Sequence, residues 1–96
     1  MSIDEIIAGM TDAQKRALLA FSAAADEYPG HYAKAKELGV TGGTLRSLYG
    51  LGGVNPKTLE LGPILVVDDF TREGTFWQIQ PLGLAVRARL KEQDNA

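Results

Sequence analysis

Asp68, Asp69 and Glu73 stand close together in the chain, and carboxylates at that density can ligate a hard cation. Two adjacent acids and a turn residue more often solvate the tip of a hairpin, so no metal site is expected. His31 is the single histidine, and with no cysteine in the chain nothing completes a usual metal or catalytic site around it; it reads as a helix-start residue. The lack of cysteine also removes disulfides and thiol nucleophiles. Gly50, Gly52 and Gly53 are not followed by the Lys-Ser or Lys-Thr of a phosphate-cradling loop. No catalytic residue, cofactor or enzymatic activity is expected. What remains is non-covalent chemistry: Lys34, Lys36, Thr41, Thr44, Arg46 and Ser47 gather donors and positive charge in one short stretch, and Arg72 follows further on.

The elements that must hold these side chains are legible from spacing. With 96 residues, 45% hydrophobic and 23% charged, the chain can build one modest core and is globular rather than disordered. Ser2 and Glu5 outline a capping box, so a short helix runs to about Ala8 and ends at Gly9. Thr11 and Gln14 repeat the pattern. Ala17, Leu18, Phe21, Ala25 and Tyr28 then recur at helical spacing, which predicts a helix of about four turns up to Pro29-Gly30. Leu19 and Ala23 fall on its other side, either covered within the domain or offered to a partner chain. A short helix over 31–38 turns Ala35 and Leu38 inward and ends at Gly39 in a left-handed turn. Thr41 caps the next helix, which carries Leu45 and Leu48 inward and dissolves at Gly50, Gly52 and Gly53. From Leu61 the period changes to that of strands. Residues 64–67 and 75–80 form a hairpin about a turn over 68–74, and Pro81 opens a last helix with Leu82, Val86 and Leu90 on one side and Arg87, Arg89 and Lys91 elsewhere. Residues 54–63 are left as a loop or an extra strand. The fold class is α+β, mainly helical.

This order, with Ala35, Gly39, Val40, Leu45 and Leu48 at the spacing by which two helices of a helix-turn-helix touch, resembles the winged helix-turn-helix family, in particular regulators similar to the MarR type. The segment from Trp77 to Leu90 is similar to the last wing strand and final helix of that family, with Gln80 where a threonine is common. The resemblance implies a short N-terminal helix over 1–10, a winged-helix domain over 11–92 and a frayed tail over 93–96. It implies a three-helix core, a recognition helix over 41–49 and a wing tip over 70–75. By the same resemblance Thr41, Thr44, Arg46 and Ser47 would reach into the groove of duplex DNA, Lys34 and Lys36 would meet phosphates, and Arg72 would act from the wing. The protein would then be a small transcriptional regulator, working as a homodimer.

Charge argues in both directions. The net charge is −2 and the isoelectric point about 5.3, and the stretch 68–74 sets three acids against one base, whereas contact with phosphate favours Arg and Lys. Lys15, Arg16, Lys34 and Lys36 can equally be a solvated face, and the cations of the last helix are accounted for by the helix dipole. Gly42 and Gly43 read in two ways: as a bare surface that lets backbone approach a phosphate, or as a loose first turn on a helix that no longer reads bases. Phe76 and Trp77 point to opposite faces, so one is an exposed anchor unless both are covered by helices. The alternative function is therefore a winged helix turned toward a protein partner, an accessory or inhibitory module. The acidic start of the chain and the lack of a long apolar run speak for a cytoplasmic protein with no membrane partner.

Overall fold

Side-chain caps start both N-terminal helices. In the computed structural model, which describes residues 2–21 and 33–94, Ser2 Oγ accepts the Glu5 N–H at the head of α1 (Ile3–Ala8). Thr11 and Gln14 cap α2 (Asp12–Leu19) reciprocally, with bonds of 3.2 and 2.9 Å. The body continues with β1 (Ala33–Lys34), α3 (Ala35–Leu38), α4 (Gly42–Ser47), β2 (Val66–Thr71), β3 (Gly74–Ile79) and α5 (Pro81–Asp94). It is an α+β arrangement of helices around a three-stranded antiparallel sheet of order β1-β3-β2.

Helix α2 is shorter than its periodicity predicts. It closes at Leu19 with Ala20 as cap, where Ala20 N–H is shared between the Arg16 and Ala17 carbonyls. Two residues on, the Phe21 carbonyl accepts a 2.9 Å bond from Arg87 Nη1. The Phe21 side chain itself is buried in the core. The expected continuation through Ala25 and Tyr28, with Ala23 and His31, lies outside the described residues.

The expected helix over 31–38 is also corrected. Ala33 and Lys34 pair with Trp77 and Phe76 as an edge strand, and of the described residues 33–38 only Ala35–Leu38 is helical. This third strand makes β3 central and resolves the question of its aromatics: Trp77 is 3% exposed, and Phe76 on the other face is partly covered. The hairpin turn is tighter than expected. Strand pairing runs from Val66–Ile79 to Thr71–Gly74, so Asp68 and Asp69 are strand residues, and the turn is Arg72-Glu73. Thr71 Oγ1 accepts from Glu73 N–H and donates to the Gly74 carbonyl, while Gly74 takes φ +123°.

The core joins all layers: Ile6, Ile7 and Met10 at the N-terminus, Ala17, Leu18 and Phe21 around α2, Leu45 and Leu48 around α4, Leu65 and Val66, Trp77 and Ile79 of β3, and Val86 and Leu90 of α5. Each large side chain so buried contributes roughly 1.5–3 kcal/mol of transfer free energy. Leu82 does not join Val86 and Leu90, being 36% exposed. Gly83 takes the inward place, because a Cβ there would collide with the Leu65 carbonyl. Arg87 is buried rather than solvated, whereas Arg89 is held at the surface by Glu92 at 3.0 Å and Asp4 at 3.1 Å. Those bonds to Glu92 and then Asp4 raise its pKa above the ordinary value, and they fasten α5 to α1.

Residues 50–63 form a projecting arm. Leu51 N–H donates to the Pro63 carbonyl at 2.8 Å, Gly62 N–H to Gly53 at 3.0 Å and Asn55 N–H to Glu60 at 2.8 Å, and Val54 bridges Leu61. The segment left open in the sequence is thus a hydrogen-bonded irregular hairpin.

Candidate nucleic-acid interface

Helices α3 and α4 meet across a tight turn. Gly39 caps α3 in the left-handed conformation at φ +71°, which a glycine adopts without the penalty of a Cβ, and Val40 N–H returns to the Ala35 carbonyl at 3.2 Å. Ala35, Leu38 and Val40 pack on the core from this turn, and Leu45 is fully buried. Thr41 Oγ1 accepts the Thr44 N–H at 3.2 Å. The inward set leaves Thr41, Gly42, Gly43 and Arg46 exposed on the outer side of α4.

The hydroxyls of this helix are occupied within the chain. Thr41 and Thr44 share a hydrogen bond of 2.9 Å. Ser47 donates to the Thr44 carbonyl and accepts from Gln14 Nε2 at 3.0 Å, tying α4 to α2. Arg46 is 72% exposed at its side chain, lies 3.7 Å from the Asp68 carboxylate, and places its guanidinium 6.0 Å from the centre of the Trp77 ring. Water screens an ion pair this open, which is worth about 1 kcal/mol at most.

Of the remaining expected residues, Lys34 does not share the face of Arg46. Lys34 stands on β1 opposite Phe76, its ammonium 5.2 Å from that ring's centre. Neighbouring side chains on a strand point to opposite faces, so Lys34 and Phe76 lie across the sheet from Trp77 and Arg46. Lys36 is exposed on α3, and Arg72 is exposed in the hairpin turn. Three partners were missed from sequence: Gln14 on Ser47, Asp68 on Arg46, and Trp77 beneath the guanidinium. A strand alternation carried through 68–71 would have put Asp68 on the face of Trp77.

Among the described residues no three His, Asp or Glu side chains converge as metal ligands, and no helix is long and apolar enough to cross a membrane. No family model matches the chain, and neither a curated protein nor a solved structure matches it.

Proposed function

We propose that the protein is a small winged-helix DNA-binding protein, similar to the MarR-type regulators, with α4 entering the major groove and the β2–β3 hairpin serving as wing. The observation that carries this reading is the α3–Gly39–α4 pair, in which Leu45 and Leu48 turn inward while Thr41, Gly42, Gly43 and Arg46 face out. Gly42 and Gly43 support it. Neither has a positive φ, and a Cβ at either would meet nothing within 4 Å, so the fold itself requires glycine at neither. Each nevertheless loses more backbone freedom on folding than an alanine would. Close approach by a nucleic-acid backbone gives the missing reason, since a bare Cα lets the phosphates come nearer. In this arrangement Arg46 reads a base edge, and Lys36 and Arg72 meet phosphates. Thr41, Thr44 and Ser47 shape the helix, and Lys34 stays on the far face of the sheet.

Fluorescence anisotropy with a mixed-sequence duplex tests this at low and at physiological salt. Binding is expected to weaken with salt and to fall roughly tenfold in Arg46→Ala, the loss of one good base contact. The absence of binding at low salt would overturn it.

A second reading has its own observation. Asp68 sits beside Arg46, and the wing carries three acids against Arg72, an electrostatic face better suited to a cationic protein surface than to DNA. On that reading the same helix and wing dock on a protein, and the titration shows no salt-dependent duplex binding.

A further inference from the structure

Four of the six large hydrophobic side chains exposed among the described residues, Tyr49, Val54, Leu59 and Leu61, belong to the arm and its root. Apolar surface gathered in this way marks an interface more often than scatter does. Leu59 is the sharpest case. It is 79% exposed and has φ +60°, the one non-glycine residue with positive φ among those described. The backbone is held there by Asn55, whose carbonyl accepts the Leu59 N–H at 2.8 Å and whose side chain accepts from Lys57 and Thr58 N–H. A left-handed residue at a loop tip is ordinarily Gly or Asn. A branched apolar side chain there is strained and wet at once, and such strain gathers at functional segments.

The arm offers a receptor as well as a knob. Leu51, Val54 and Leu61, with the polar Asn55, Thr58 and Glu60, line an open cleft of about 560 Å³, and Leu59 and Lys57 take no part in its lining. The arm's only charges are Lys57 and Glu60, of opposite sign on either side of Leu59, and neither is in an ion pair within the described residues. A surface that holds both a knob and a cleft, and one charge of each sign, is complementary to itself under a two-fold rotation. The wing is not, since its acids would face acids.

We propose that two copies of this chain pair arm to arm, Leu59 of each seated in the cleft of the other and Lys57 of each facing Glu60 of the partner subunit. With one apolar anchor and one exposed ion pair per copy, dimerisation is expected in the micromolar range. It stands apart from the DNA reading and needs no duplex.

Sedimentation velocity across a micromolar concentration series, without DNA, tests it. Wild type is expected to pass from monomer to dimer. Leu59→Gly should weaken dimerisation at least roughly tenfold while its melting temperature at monomeric concentration does not fall, which separates a lost interface from a lost fold. Lys57→Glu should weaken it, and Lys57→Glu with Glu60→Lys should restore it. A wild type that stays monomeric throughout, a dimer indifferent to Leu59→Gly, or a double charge exchange that fails to rescue the single one would each overturn the proposal.

Discussion

Two projections leave the same body and are built on opposite rules. The β2–β3 hairpin, the proposed wing, is a regular ladder of six cross-strand pairs with acids along its edge strand, and Phe70 is its one strongly exposed apolar side chain. The arm has a single bridge, left-handed glycines at Gly50, Gly52 and Gly53, no net charge, and a concentration of exposed apolar residues. Charge on an edge strand discourages other strands from adding to it, so the wing is kept apart from copies of itself. The arm lacks that guard. Exposed β structure here is thus divided into a charged part guarded against self-association and an apolar part that carries the proposed contact between copies.

Breaking the wing where it meets the core should have the largest effect. Trp77→Ala empties a buried site and is expected to cost about 3–5 kcal/mol, whereas Phe70→Ala, at 83% exposure, should stay within about 0.5 kcal/mol. Urea unfolding measures both, and equal losses would mean that the tip of the wing is packed as tightly as its root.

The glycines at the two roots sharpen the contrast. A Cβ at Gly83 meets the Leu65 carbonyl, and one at Gly62 meets the Leu51 carbonyl. Gly83→Ala must move α5 with Val86 and Leu90, so a loss of about 2–3 kcal/mol is expected. Gly62→Ala need shift only the arm, at about 1 kcal/mol, with faster amide exchange at Leu51 and Asn55 and unchanged exchange in β3. Protection lost equally in β3 would show that arm and sheet open as one unit. Leu59→Gly should be smaller and of opposite sign. It removes a left-handed leucine worth about 1–2 kcal/mol but gives the unfolded chain more freedom, worth about 0.4–1 kcal/mol, so monomer stability should rise by up to about 1.5 kcal/mol.

These contrasts also mark what sequence could and could not disclose. Local signals were enough for the caps at Ser2 and Thr11, the left-handed Gly39, the inward Leu45 and Leu48, and the hairpin, because each depends on neighbours within a few residues. The bond from Arg87 to the Phe21 carbonyl was not legible, since the two residues stand 66 apart in the chain. Ala33-Lys34 reads as helix start because its strand character comes from pairing with Trp77 and Phe76, a tertiary condition that overrides propensity. The same long-range pairing hid Asp68 beside Arg46. Leu82 and Gly83 exchanged places for a steric reason, the Leu65 carbonyl, that no periodicity contains.

The smallest effect concerns the ion pair between the wing and α4. Asp68→Asn removes the carboxylate 3.7 Å from Arg46 and leaves a side chain of the same shape. An exposed pair contributes about 1 kcal/mol or less, so stability should stay within about 0.5 kcal/mol. If α4 binds DNA, release of Arg46 should tighten binding by up to about fivefold, the factor to which 1 kcal/mol corresponds. The salt slope then separates the roles of the arginine. A slope steeper by about one counterion places the freed guanidinium on a phosphate, and an unchanged slope with the same gain places it on a base edge, because only phosphate neutralisation releases condensed ions. Weaker binding in Asp68→Asn would reverse the assignment, making Asp68 the group that aims Arg46 rather than the one that restrains it.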